Sequence, residues 1–109
     1  MTYGNLGDAC YSLGQFHKAI GYHRTHLAIA IVVGDRAVKG RAYGNLGIAY
    51  YSLGQFHKAI EYHSKHLTIA IEVGDRAGEC KTYSNHGNAY REAALLAPCA
   101  RETHAASEG

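Results

Sequence analysis

Eight histidines stand in this 109-residue chain, and six of them form two matching sets. His17, His23 and His26 lie at the same mutual spacing as His57, His63 and His66. Imidazoles three residues apart on a helix share a face, and neutral imidazoles bind zinc or copper. A structural zinc site needs about four convergent ligands, however, and no Glu or Cys completes either set. His23 and His63 also fall within apolar stripes. Packing and hydrogen bonding between structural units is therefore the favoured role, and no metal is expected. Buried imidazoles take up protons in acid, so the same residues predict a loss of stability below about pH 6. Cys10, Cys80 and Cys99 are odd in number and lack metal-type spacing, which suits reduced thiols in a cytoplasmic protein. Nothing beside them activates a thiolate. The chain has no phosphate loop, no paired carboxylates and no Gly-flanked Ser or Cys nucleophile. It is read as a non-enzyme without a cofactor.

A third set is amide rather than imidazole. Asn5, Asn45 and Asn85 each follow a tyrosine by two residues and recur every 40 positions. An amide offers both a donor and an acceptor, so a row of amides can pair the polar groups of an extended peptide backbone. The alternative is that each Asn bonds only a neighbouring helix or water.

The interval that spaces these residues organises the whole chain. The ten letters YSLGQFHKAI occur at 11–20 and again at 51–60. Aligned without a gap, residues 3–42 and 43–82 share 28 of 40 positions, and the frame opens a third time at Tyr83. A fixed period of this size signals stacked repeats. Within a unit, Phe16, Ala19, Ile20, His23, Leu27, Ala30 and Ile31 follow helical spacing, and so do Tyr3, Leu6, Gly7, Cys10 and Leu13. The pattern predicts helices over about 2–13, 16–33, 36–53, 56–73 and 76–96. Gly14-Gln15 and Gly54-Gln55 part the helices of a unit, while Gly34-Asp35 and Gly74-Asp75 part the units, Gly ending one helix and Asp capping the next. Pro98 stops the fifth helix, and residues 98–109 read as a flexible tail. Gly7 and Gly47 lie inside helices, at a cost of about 1 kcal/mol each against Ala. A close helix crossing, with Ala19 and Ala59 opposite, is the expected compensation.

The same residues resemble the tetratricopeptide repeat (TPR). A large residue, Leu-Gly, Ala-Tyr, Gly-x-aromatic and Ala-Ile appear as Tyr43, Leu46-Gly47, Ala49-Tyr50, Gly54-x-Phe56 and Ala59-Ile60. Unit one matches with Cys10 in place of the tyrosine. The 40-residue period, with GDRA between units, is similar to the long-helix subclass of Pins/LGN-type adaptors and large TPR arrays. The resemblance implies an all-α, right-handed solenoid of antiparallel helix pairs. It would hold about two and a half repeats over residues 1–97, as units 1–34, 35–74 and a partial 75–97. The frame opens and closes within repeats, which suggests a fragment of a longer array. Two complete units fall short of the roughly three usually needed, so marginal stability or self-association through exposed ends is expected.

The resemblance also implies a concave groove lined by first helices. Carried over by position, it consists of Asn5, Asp8 and Tyr11, then Arg41, Asn45, Ile48 and Tyr51, then Lys81, Asn85, Asn88 and Arg91. Tyr11 and Tyr51 would anchor an apolar ligand side chain. Arg41, Lys81 and Arg91 would favour acidic side chains, or would form only a solvated basic surface. Lysines that clamp a terminal carboxylate in some TPR domains are replaced here by Gly4 and Gly44. The expected function is a non-catalytic scaffold or adaptor that binds an extended protein segment. The alternatives are a self-associating fragment and, less favoured, a histidine-based metal binder. A formal net charge of +2 points to neither nucleic acid nor an anionic membrane. The longest apolar run, Leu27–Val33, is far short of a membrane span, and the N-terminus carries no secretory pattern.

Overall fold

The computed structural model describes residues 2–96, which form five helices: α1 (Tyr3–Ser12), α2 (Phe16–Val33), α3 (Arg36–Ser52), α4 (Phe56–Val73) and α5 (Arg76–Leu96). The predicted tail at 98–109 and Cys99 lie outside the described residues. Each helix packs on the next in sequence, so the chain is a stack of hairpins rather than a bundle around one centre.

The boundaries follow from local chemistry. Gly34 and Gly74 end α2 and α4 in the left-handed conformation, with φ of 76° and 75°. The next residue's amide then bonds back five residues, Asp35 to the Ala30 carbonyl at 3.0 Å and Asp75 to the Ala70 carbonyl at 2.9 Å. This is the Schellman closure, which favours glycine because it has no Cβ to clash. The same aspartates start the following helices: Asp35 Oδ1 accepts from the Val38 amide at 3.1 Å and Asp75 Oδ1 from the Gly78 amide at 2.9 Å. Thr2 caps α1 through its Oγ1, which accepts from the Asn5 amide at 3.1 Å.

The core lies where α3 meets its neighbours. Leu46, Ala49 and Ala59 are fully buried, and Ile20, Tyr50 and Ala89 join them. Small residues at 19, 49, 59 and 89 are all at zero exposure, so backbones approach closely there and the stack is tight.

The interior glycines are compensated differently from the sequence expectation. Ala19 and Ala59 are not their nearest partners. A Cβ on Gly7 would come within 2.6 Å of the His23 ring, and one on Gly47 within 2.7 Å of the His63 ring. Gly4 faces His26, and Gly44 faces His66, in the same way. Each imidazole lies flush against a bare stretch of helix backbone. His23 and His63 are 2% and 1% exposed, so the glycine is what makes room for a buried polar ring.

Candidate functional site

Three hollows run end to end along α3 over α4, and α5 walls the second and third of them. The first, about 430 Å³, is lined by Ala37, Gly40 and Arg41 of α3, His66, Ile69, Ala70 and Val73 of α4, and Asp75. The second, about 250 Å³, shares Arg41 and His66 with it and adds Asp8, Gly44, Asn45, Ile48, Lys81 and Asn85. The third, about 80 Å³, shares Ile48 and Asn85 with the second and adds Tyr51, His63 and Asn88. The shared residues make one trough. From Ala37 to Tyr51 it follows α3 for about 20 Å at 1.5 Å per residue, the span of roughly six extended residues.

The middle of the trough is polar. Arg41 and Lys81 stand on opposite walls, one on α3 and one on α5, and among the described residues neither forms an ion pair. Asn45 and Asn85 lie beside them on the same two walls. The Asp8 carboxylate is turned toward a buried ring, with Oδ1 3.6 Å from His23 Nε2. Asp75 is occupied as the cap of α5.

His66 belongs to this floor and has a defined tautomer. The Thr82 hydroxyl donates to the Gly78 carbonyl at 2.6 Å. Its single proton is then spent, so the 3.1 Å contact with His66 Nδ1 requires that the imidazole donate there. Nε2 is left as the acceptor nitrogen. Burial lowers the pKa of His66; Asp75 pulls it back up and Lys81 pushes it down further.

The residues expected at the groove divide by position. Asp8, Arg41, Asn45, Ile48, Tyr51, Lys81, Asn85 and Asn88 all line the trough. Asn5 is exposed on α1, outside that lining. The Tyr11 hydroxyl is bonded to Ser52 Oγ at 2.8 Å, which ties unit one to unit two, and its ring packs on Phe16 at 5.2 Å. Tyr51 has the matching aromatic neighbour, Phe56, at 5.2 Å, while its own face stays in the trough. Arg91 is exposed and donates to Asn88 Oδ1 at 3.1 Å. Sequence reasoning missed the floor. His63, His66 and Ile69 lie against Gly47, Gly44 and Gly40, which carry no side chain to cover them, and Ala70 and Val73 line the first hollow beside Ile69. The pairing of each glycine with a histidine at a constant offset of 16 or 22 residues, repeated in both units, was the available signal.

Comparison with known proteins settles the family. The sequence profile described as tetratricopeptide repeat matches residues 1–72 and again 39–97. The chain belongs to the tetratricopeptide repeat family. Among solved structures, its fold is similar to the crystal structure of the TPR domain of Arabidopsis FLU. The TM-score is 0.80 at 23% identity, covering 96% of this chain and 90% of that one. At that identity the likeness is one of fold. A search of curated proteins by sequence returned no match. Membership of this family implies, in general terms, a protein–protein interaction module. Among the described residues no helix is long and apolar enough to cross a membrane, and no three His, Cys, Asp or Glu side chains group as metal ligands.

Proposed function

We propose that this TPR protein is a non-catalytic adaptor that holds an extended, acidic protein segment in the trough between α3 and α5. One observation carries the reading: two cations with no ion-pair partner among the described residues and two amides face one another across a hollow that no described side chain fills. Arg41 and Lys81 supply charge-assisted donors for a carboxylate. Asn45 and Asn85 supply a donor and an acceptor each for the segment's backbone. The apolar hollow beside Arg41, floored by Ile69 and Val73, takes one aliphatic or aromatic side chain of the same segment. Among the described residues Cys10 and Cys80 form no disulfide, which supports a cytoplasmic setting.

Self-association is the second reading, favoured by the exposure of Ile29 at 45% where its counterpart Ile69 is at 5%. Sedimentation separates the two, since a dimer that forms without any peptide and blocks the trough contradicts the adaptor.

Selection from a random peptide display library gives the direct test. The expected winners carry Asp or Glu within two or three residues of a large apolar side chain. Asn45→Ala should then weaken the selected peptide by about tenfold, the worth of one or two lost hydrogen bonds, at unchanged helical circular dichroism. Equal affinity of the variant and the parent chain removes the amide row from the site, and a selection that yields no acidic peptides removes the ligand class.

A further inference from the structure

His66 sits on the trough floor with its proton placed by its neighbours. The Thr82 hydroxyl spends its own proton on the Gly78 carbonyl, so His66 Nδ1 donates to Thr82 and Nε2 keeps the lone pair. Nε2 has no hydrogen-bond partner among the described residues. Unlike Nδ1 of His23, His26 and His63, it is not sealed from solvent. The ring lines both the first and the second hollow. A lone pair therefore opens onto the trough beside Arg41 and Lys81.

The repeat shows that this arrangement belongs to one position. His26 holds the equivalent place in unit one and lies against Gly4 as His66 lies against Gly44. Ala42 stands there in place of Thr82, and His26 Nδ1 is buried without a partner. Stacking the units thus uses the histidine and the glycine but not the threonine. What Thr82 adds is a fixed acceptor for Nδ1–H, which leaves Nε2 unprotonated at the trough.

A lone pair is a poor lining for an anion. A carboxylate drawn to Arg41 and Lys81 meets an acceptor at Nε2, and a proton there turns that acceptor into a third charge-assisted donor. The ring need not move, because Thr82 Oγ1 accepts from Nδ1–H in either state. The surrounding charges decide when the proton arrives. Burial keeps the empty site neutral, Asp75 at the α5 cap favours the cation, and Lys81 of α5 opposes it. Arg41 of α3 lines the same two hollows and also opposes it. Asp8 of α1 is turned toward His23, and the remaining imidazoles nearby are His63 on α4 and His86 on α5. A bound carboxylate offsets the repulsion from Arg41 and Lys81, which tips the balance toward the protonated ring.

We propose that His66 is a ligand-contacting residue of the trough, and that an acidic segment binds together with one proton, taken from water onto Nε2. The inference rests on the acidic-segment reading of the trough. It adds that affinity rises as pH falls, the opposite direction to the stability of the fold.

The probe is a blocked synthetic peptide, Leu-Glu-Asp-Glu-Phe, titrated calorimetrically into the intact protein at pH 7.5 and 6.5. Its carboxylates stay ionised over that range. Affinity should rise about threefold or more on going to pH 6.5, because proton and ligand binding are linked reciprocally. Paired buffers of different ionisation enthalpy should show net proton uptake. Nitrogen NMR of the free protein at pH 7.5 should find His66 as the Nδ1–H tautomer. His66→Gln, which cannot titrate, should abolish the pH dependence. Thr82→Ala recreates the unit-one pairing with Ala42, so the proton moves to Nε2, where water can accept it. That variant should bind the peptide more tightly than the parent at pH 7.5, with little further gain at pH 6.5. A parent affinity that ignores pH, a slope that survives either variant, or an Nε2–H tautomer in the parent overturns the proton coupling and leaves the acidic reading standing. No binding at either pH, or equal binding of the amide analogue Leu-Gln-Asn-Gln-Phe, overturns the acidic reading and the coupling together.

Discussion

Gly47→Leu is expected to unfold the array, while Gly87→Ala, at the same place in the next unit, is expected to stabilise it. The two positions share sequence context and helical setting, and differ in what a side chain would meet. At Gly47 a Cβ alone would lie 2.7 to 2.8 Å from three atoms of the His63 ring. The ring cannot swing aside, because it is 1% exposed and packed within the α3–α4 hairpin. Leucine adds three further carbons to that clash. Overpacking a filled site costs about 1–3 kcal/mol or more, and here the alternative to overpacking is separating two helices at the centre of the core. Total stability of a small domain is about 5–15 kcal/mol, and a short repeat stack has few interfaces among which to share the loss. At Gly87 a Cβ would meet nothing within 4 Å among the described residues, so alanine brings only its helix preference, a gain of about 1 kcal/mol. Thermal unfolding followed by circular dichroism measures both. A Gly47→Leu chain that melts with the parent would show that the imidazole is not seated on the glycine. A Gly87→Ala chain that melts lower would show that the seat on α5 is already filled.

The contrast marks how far the sequence could be read. Five helices and their ends were legible because each is fixed by residues within a few positions: the Gly-Gln and Gly-Asp pairs and the apolar stripes. The trough walls came from the family resemblance rather than from spacing: its first-helix positions, carried over to Arg41, Asn45, Ile48, Lys81, Asn85 and Asn88, line the hollows of the structure. What faces each glycine was not legible. Gly47 shows that something comes close, but choosing between Ala59 and His63 requires the crossing geometry of α3 and α4, which no local pattern encodes. The trough floor was hidden for the same reason. His66 reaches the concave side only through the gap left by Gly44, so the signal lies in a missing side chain, 22 residues away. The bond from Tyr11 to Ser52 spans 41 residues and depends on the register between units, so a tyrosine that looked like a free anchor is in part a strut.

The buried imidazoles carry the second large effect, which is acid unfolding. His63 is the sharpest case. Burial lowers its pKa to about 4, with His66 and His86 nearby adding to the shift. Its Nδ1 has no hydrogen-bond partner among the described residues, so a proton placed there would be a buried donor without an acceptor. The folded chain therefore holds His63 neutral, whereas the unfolded chain protonates it near 6.5. The stability it supports is complete above pH 6.5 and is lost as pH falls from 6.5 toward about 4. Over that range the linkage amounts to about 3 kcal/mol, and to about 2 kcal/mol by pH 5, where carboxylates are still ionised. His23 and His66 are lowered as well and act in the same direction. Urea unfolding at pH 7.5 and pH 5.0 should show the drop, and a flat profile between them contradicts it. Unit one shows how the effect can be tuned. His23 is as buried as His63, yet Asp8 lies 3.6 Å away and raises its pKa against the burial. In unit two the corresponding residue is Ile48, which offers no charge. Ile48→Asp should therefore restore to His63 the carboxylate that His23 has, and flatten the stability loss between pH 7.5 and 5.0 by about 1 kcal/mol, the scale of a partly screened ion pair. If Ile48→Asp left the acid sensitivity unchanged, the difference between the two histidines would have to come from burial alone, and Asp8 would lose its place in the account.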